Sequence, residues 1–311
     1  LANLAVLVVA LSIYLWITGE HLRSAYSAVA ACKPPAASST CQYQWMSFLD
    51  KHGDPSFLGP FLLLLPGIVG GFVGAPLLGR ELETGVFRYS WTQGVGRMRL
   101  AVALIVPAAI VVSAIMLGVG LLETWSAKPL LDNGIRQRLE PSFFPTAGPA
   151  VIGWTLVAFT GGVLAGLLWR KVVPALASCF VVWFGLAFLA STARFHYLAP
   201  LTTSGTPHSH DAILDEWWTK DGVRQSDAQI NTALQAVGGH ISNGGMRVRA
   251  GTGATPTDPF PYLTQHGYTK VISYQPDSHY WPFQWIEFSW LLGLSMILLA
   301  ATLWLLRRRS V

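Results

Sequence analysis

The sequence predicts an all-α polytopic membrane protein, with six transmembrane helices and a small α+β extracellular cap between spans five and six. Three observations carry this. Only 12% of the 311 residues are charged, against about 25% in an ordinary soluble domain. Hydrophobic residues make up 52%. The apolar residues gather into uncharged runs of 20 residues or more. A helix needs about 20 such residues to cross the hydrocarbon, because its backbone polar groups must all be satisfied within the segment.

The runs follow in order. Residues 57–78, 100–122, 149–169, 172–191 and 286–306 are complete, the last with one charge, Glu287, at its edge. The run at 1–17 is slightly short and starts without Met or a basic leader. It also lacks a small-residue cleavage site, so it reads as a first span whose cytoplasmic beginning is missing and not as a signal peptide.

Lys and Arg orient the spans. The connections 79–99, 170–171 and 307–311 hold nine of the 21 Lys/Arg, opposed only by Glu81 and Glu83. The segments 18–56, 123–148 and 192–285 hold the other twelve, with more acids than that. The dense set belongs in the cytoplasm, which puts both termini inside a multi-pass plasma-membrane protein. The net charge of +5 therefore reports topology and gives no support for nucleic-acid binding. The chain divides into spans one to five at 1–191, with a basic segment at 79–99 and outer loops 18–56 and 123–148. An extracellular cap at 192–285 follows, and the sixth span with its basic tail occupies 286–311.

All eight histidines fall on the outer side, as do Cys32 and Cys41. Nine residues apart in an oxidising compartment, the two cysteines read as a disulfide-closed loop; the alternative is two free thiols. Cys179, within the fifth span, reads as a small packing residue. In the cap, "LTTSGTPHSHD" reads as a mobile polar stretch. Ser226 and Gln229 have capping-box spacing, Ile230, Leu234 and Val237 share one helix face, and Gly238 supplies the stop. Asn243-Gly244 suggests a hairpin, and "YTKVISYQP" a strand. His208 and His210 beside Asp211 lack a second ligand cluster, so solvated loop histidines are expected and no metal. "WPFQWIEFSW" reads as an interfacial aromatic belt. Glu287 there reads as a snorkelled, water-exposed carboxylate in preference to one lining a polar cavity.

The second span contains Pro60, Pro66 and Pro76 with Gly67, Gly70, Gly71 and Gly74, and the fourth has Gly162 and Gly166. Small residues let helices approach closely, and proline kinks them. For any single glycine, bundle packing is the simpler reading. Kinked, Gly-lined helices would also suit a bundle that rocks between states, so Gly67, Gly71, Gly74, Gly162, Gly166 and Glu287 are candidates for a substrate path. No charge lies deep in a span, which argues against a proton or sodium relay, and no inverted repeat is evident. There is no G-x-x-x-x-G-K-[ST] loop for nucleotide and no HExxH or GxSxG in a suitable context. A transporter built this way takes its energy from a partner at the cytoplasmic face.

"GRELETGVFRYSWTQGVGRMR" resembles the loop between spans two and three of type-2 exporter ABC-transporter permeases, in the actinobacterial branch with an "REletG…WTQ…R" pattern. Arg80, Glu81, Gly85, Trp91, Thr92, Gln93 and Arg97 match it. "GWTLVAFTGGVLAGLLWRKVVPALA", with Arg170, Lys171 and Pro174, resembles the family's fourth and fifth spans, and "YQPDSHYWPFQWIE" its stretch before the last span. Val86 departs where Thr is usual, as do His279 and Tyr280 where Arg and Phe are usual. The cytoplasmic amphipathic helix that such permeases place before the first span is also absent.

The resemblance implies two permeases, identical or not, lined by membrane lipid and powered by two cytoplasmic ABC ATPase subunits. ATP and Mg would sit on the partner, with no cofactor in this chain. It also implies that 79–99 is the coupling helix inserted into the ATPase. Val86, Phe87 and Trp91 offer apolar anchors, the last two one turn apart, and aromatic and Arg side chains are usual interface hot spots. Arg88, Arg97 and Arg99 would meet acidic partner groups or lipid phosphates, and Glu81 would pair with Arg80 or a partner's cation. The alternative is a helix lying on the membrane surface. The function expected is a permease subunit of an ATP-driven exporter for a hydrophobic or amphipathic substrate such as an antibiotic, lipid or peptide. The competing reading is a membrane sensor or immunity protein whose cap binds a ligand and whose basic loop recruits a partner. A membrane-embedded enzyme is disfavoured because acids, His and Cys do not converge on one face.

Overall fold

A computed structural model describes residues 2–33, 38–52, 58–84, 97–235, 239–242, 245–248 and 259–308. The chain divides into two compact units, one of Leu1–Tyr197 with Ser278–Val311 and one of Leu198–Asp277. The first unit contains α1 (Ala2–Val29), α2 (Ser39–His52), α3 (Leu58–Thr84), α4 (Arg97–Asp132), α5 (Ala150–Trp169) and α6 (Val172–Ala193). It also contains the last helix, Tyr280–Arg308, which is α9 because α7 and α8 belong to the second unit. All of these except α2 are long and apolar enough to cross a membrane, giving six candidate spans among the described residues. The all-α polytopic class expected from the apolar runs is what the chain adopts.

The helix α5 is the hub. Fourteen of its 20 residues are buried, and it packs on α3, α9, α6 and α4. By contrast only four residues of α6 are buried, and α1 presents Val6, Val9, Ile13 and Trp16 outward. Such uneven burial follows from the solvent: lipid accepts apolar side chains as readily as a core does, so peripheral spans need no polar face. The core runs through Leu65, Val69 and Leu78 of α3, Ile105 and Met116 of α4, and Phe159 and Val163 of α5. α3 continues through Pro66 and Pro76 without a break, as membrane helices can when neighbours re-satisfy freed carbonyls.

Helix extends into both expected outer loops, over 18–29 and 39–52 of the first and over 123–132 of the second. At about 1.5 Å per residue the 36 residues of α4 extend roughly 54 Å, well beyond a hydrocarbon layer of about 30 Å. The surplus has a packing partner. Arg23 of α1 stacks over the Trp125 ring at 3.6 Å and donates from Nη2 to the Trp125 carbonyl at 2.7 Å. Tyr26 donates to Asn133 Oδ1 at 2.8 Å. Leu22, Trp45, Phe48 and Leu130 then form a satellite core with Cys32, to which the disulfide Cys32–Cys41 ties α2. Arg136, Phe143 and Phe144 are buried in the connection to α5.

The second unit holds β1 (Leu201–Thr203), β2 (Ala212–Lys220), β3 (Val223–Arg224), α7 (Asp227–Gln235), β4 (Gly239–Ser242), β5 (Gly245–Val248), α8 (Pro259–Gln265) and β6 (Tyr268–Gln275). The sheet order is β1-β6-β2-β3, antiparallel throughout, with a separate β4-β5 pair. The capping box forms as its spacing predicts: the Ser226 backbone N–H donates to Gln229 Oε1 at 2.7 Å, and the Gln229 N–H donates back to Ser226 Oγ at 3.4 Å. Ile230 and Leu234 pack with Trp218 and Leu263; Val237, Gly238 and the turn pair Asn243-Gly244 lie outside the described residues. The stretch expected to be mobile opens with β1, and β2 is the strand the sequence conceals. Its register shifts between Ile213 and Asp215, so its apolar residues do not alternate cleanly.

Candidate functional site

The basic segment 79–99 is framed by two helix ends. α3 carries Arg80 and Glu81 in its last two turns, with Arg80 exposed, and α4 starts at Arg97. Gly85, Val86, Phe87, Arg88, Trp91, Thr92 and Gln93 lie outside the described residues. At the same end, Gly79 packs on Gly166 and Val172. The Arg170–Lys171 joint there caps α5 with Arg170 in the left-handed region (φ 55°), and its N–H donates to the Gly166 carbonyl at 3.0 Å.

The opposite end of the bundle holds a polar centre that composition alone conceals. Glu287 of α9 is fully buried, which overturns the expectation of a water-exposed carboxylate. Its physical reason is Arg194, just past the end of α6 and itself 1% exposed. Arg194 Nε donates to Glu287 Oε2 and Nη2 to Oε1, each at 2.9 Å. Trp154 Nε1 of α5 donates to Oε1 at 2.8 Å, and the Tyr197 hydroxyl to Oε2 at 3.4 Å. Trp290 Nε1 in turn donates to the Tyr197 oxygen at 3.1 Å, and the guanidinium stacks on Phe144 at 4.4 Å. Burial, with the Glu287 carboxylate beside it, pushes the Tyr197 phenol up to about 12, so it stays a donor at physiological pH. Four N–H or O–H donors thus converge on one carboxylate, as a buried charge requires.

A second polar contact locks the same helices. Gln284 accepts from the Ala150 N–H and donates to the Phe144 carbonyl, both at 2.9 Å. Gly148 turns the chain into α5 with φ +61°, and a Cβ there would come within 2.9 Å of Gln284 Oε1. Glu123 of α4 is also buried, 2% exposed, with neither carboxylate oxygen hydrogen-bonded among the described residues. The hydroxyl of Thr146 spends its proton on the Phe143 carbonyl.

Of the glycines proposed for a path, Gly74, Gly162 and Gly166 sit, together with Gly70, in a seam between α3 and α5, whereas Gly67 and Gly71 face α6. A Cβ on Gly70 would meet the Thr155 carbonyl at 2.6 Å, on Gly162 the Ala75 nitrogen at 2.9 Å, and on Gly166 the Ala75 carbonyl at 2.5 Å. Gly74 faces the Phe159 backbone in the same way, and Gly67 lies under the Trp183 ring. Gly71 has ordinary contacts with Cys179 and Phe180. None of these glycines, nor Glu287, lines either of two apolar cavities that described residues of the bundle form. One cavity, of about 450 Å³, lies among α5, α6 and α9, and the other, of about 410 Å³, is bordered by Leu64, Pro145, Trp154, Trp183, Phe188 and Arg194. Both are lined by Trp183.

In the second unit, Asp211 is 5% exposed and accepts the backbone N–H groups of His208 at 2.9 Å and Asp277 at 3.2 Å. The His208 ring is 3.5 Å from Asp211 and almost fully exposed, and no metal-holding group of three such side chains forms among the described residues. His208 and Asp211 therefore make a turn.

No curated protein and no solved structure matches the chain. A family model described as ABC-2 membrane transporter related matches residues 5–194, from α1 through the end of α6. With more than half its length matched and six helices fit to cross a membrane, this chain belongs to the ABC-2 membrane transporter related family.

Proposed function

We propose that this chain is the transmembrane permease subunit of an ATP-driven exporter that moves a hydrophobic or amphipathic substrate, powered by separate cytoplasmic ATPase subunits. The observation that carries the reading is the family match over the first five spans in a chain with no nucleotide-binding loop. The segment 79–99 is the natural docking element. It is short, basic and aromatic, and it joins two long helices, of which α3 is clasped to the central α5. Force delivered there would pass into the bundle through a seam of backbone contacts. In this reading Val86, Phe87 and Trp91 are anchors, while Arg88, Arg97 and Arg99 answer acidic groups on the partner or lipid phosphates. Two copies of the permease and two ATPases complete the assembly, with both termini of this chain cytoplasmic.

Co-purification tests it. The chain should bring down an ABC ATPase and change its turnover in nanodiscs. Phe87→Ala with Trp91→Ala should cut that association at least tenfold, as loss of two interface anchors of about 1–2 kcal/mol each would do. Wild-type ATPase association and transport in the double variant would sink the assignment. A chain that binds ligand through residues 198–277 but couples to no ATPase would instead point to a membrane sensor.

A further inference from the structure

A further cavity, of about 380 Å³, lies between the last turns of α4 and the first turn of α9. Unlike the two apolar cavities, it is lined by charges: Lys128 and Asp132 of α4, and Arg138 shortly after them. Lys128 and Asp132 are exposed and Arg138 is half-buried, so a ligand can reach all three. Trp125, Tyr280 and Trp281 add an aromatic wall. Part of that wall is held in place from behind. Arg23 covers the Trp125 ring at 3.6 Å and donates to its carbonyl at 2.7 Å. Tyr280 is 5% exposed, and the Arg138 guanidinium stands 5.9 Å from its ring centre.

Two helices independently set the depth of this cavity. α4 rises about 33 Å from Arg99 to Leu121, and α9 rises about 33 Å from Trp285 to Arg307. Each rise is close to the hydrocarbon thickness of about 30 Å. Trp125 and Trp281 stand one turn beyond those limits, at the headgroup level where such rings gather. Leu121 and Trp281, which flank the cavity, are more than half exposed, as the lipid-facing rim of a membrane site would be. Ile110, Leu121 and Lys128 are separated by close to whole turns and so share one face of α4. An exposed apolar track therefore leads along α4 to a cation. Helical side chains lean toward the helix N-terminus, which on α4 brings Lys128 back toward the hydrocarbon.

Charge selects the occupant. Two cations and one carboxylate line the cavity, an excess of one positive charge, which a singly charged anion matches. A phosphodiester carries that charge, and Lys and Arg are the side chains that bind phosphate oxygens. The guanidinium has five N–H donors in all, so it can serve a phosphate while keeping other contacts. A phosphate monoester would bring a second negative charge up to Asp132 and lose by like-charge repulsion. A fatty-acid carboxylate would end at the cations and offer Asp132 nothing. A headgroup hydroxyl beyond the phosphodiester would donate to it.

We propose that this cavity seats a membrane phospholipid with a hydroxyl-bearing headgroup. Its phosphodiester rests on Lys128 and Arg138, its headgroup hydroxyl on Asp132, and an acyl chain on the Ile110–Leu121 face of α4. In the orientation proposed above this is a lipid of the outer leaflet. The binding itself requires neither that orientation nor an ATPase.

The test titrates the purified full chain, in a neutral maltoside detergent, and reads bound ligand by native mass spectrometry. Didodecanoyl phosphatidylglycerol is compared with two of its parts: didodecanoyl glycerol, which has the tails without the phosphate, and glycerophosphoglycerol, which has the phosphodiester without the tails. The phospholipid should bind at least about tenfold more tightly than either part, since only it engages both the charges and the track. Diacylglycerol binding as tightly would reduce the site to an apolar crevice, and glycerophosphoglycerol binding as tightly would make the ligand a soluble phosphodiester. Either result overturns the proposal. Lys128→Gln should weaken the phospholipid by about 3- to 10-fold, the loss of one cation at headgroup level, and leave diacylglycerol unchanged. Lys128→Arg should restore the affinity. Lys51→Gln removes an exposed lysine of α2 that does not line the cavity and should change nothing. Equal weakening by Lys51→Gln and Lys128→Gln would mean diffuse attraction without a site, and no effect of Lys128→Gln would remove the phosphate contact; both refute the proposal. Didodecanoyl phosphatidic acid, with a second negative charge and no headgroup hydroxyl, should bind about threefold or more weaker than phosphatidylglycerol. Tighter binding would overturn the role of Asp132. No ATPase is present in these titrations, so their failure and that of the permease reading are distinguishable.

Discussion

Removing one member of the Arg194–Glu287 pair leaves the other charged and buried, a far larger loss than the pair's own net contribution. Isolated buried charges cost several kcal/mol, whereas replacing both partners by apolar groups is often close to neutral. Glu287→Ala or Arg194→Ala should each lower stability by about 3–5 kcal/mol. The double replacement Arg194→Met with Glu287→Met should cost less than either single change, read as thermal unfolding midpoints in nanodiscs. Additive losses would show that the centre is held by packing on Phe144 instead of by the pair. This centre was half legible in the sequence. Glu287 stood out as the one charge at the edge of its span, but its partner lay three residues past another apolar run and read as part of a polar outer segment. Opposite charges at the same end of two spans were the available signal. The bonds from Trp154 and Tyr197 were not, because aromatic residues near span ends default to interfacial belts. Glu123 was hidden for a related reason: it falls just beyond the apolar run, and only the helical continuation of α4 to Asp132 brings it into packed structure.

Helices in lipid cannot be driven together by hydrophobicity, since leaving lipid for protein changes little for a Leu side chain. What holds α3 to α5 is therefore close approach, and the glycines are its means. Gly162→Val and Gly166→Val should each destabilise by about 1–3 kcal/mol or more through overpacking against the Ala75 backbone. Gly118→Ala and Gly293→Ala meet nothing within 4 Å and should be silent or stabilising by up to about 1 kcal/mol. The readout is the monodisperse fraction after heating, and equal effects in the two sets would refute the seam. Spans, the glycine spacing, the capping box at Ser226 and Gln229, and the β6 strand were all readable, because each rests on local pattern. The helical surplus of α1 and α4 and the helix α2 were not. Their stability comes from contacts between distant segments, Arg23 on Trp125 and Trp45 with Phe48 against Leu130, and no window of sequence contains both sides.

The whole molecule is a bundle interrupted by an insertion, since the first unit resumes at Ser278 after Leu198–Asp277. The two edges of that interruption are tied within the bundle itself. Tyr197 meets Glu287 and Trp290, and Arg194 meets Glu287, so α6 and α9 are fastened where the second unit departs. A short linker can therefore close the gap. Loop closure grows only logarithmically with length, so exchanging some eighty residues for about ten changes its entropic cost by roughly 1–2 kcal/mol in the favourable direction. Replacing Leu198–Asp277 by a Gly/Ser linker should leave a monodisperse bundle that still captures its ATPase, because the proposed docking segment 79–99 belongs to the first unit. What should change is the response to ligand, if the second unit screens what enters. Loss of ATPase capture by an otherwise folded deletion variant would mean that the second unit governs the state of the whole bundle, and would move the balance from permease toward sensor. Retained capture with basal ATPase turnover unchanged would assign the coupling to the bundle alone, through α3, α4 and the seam with α5.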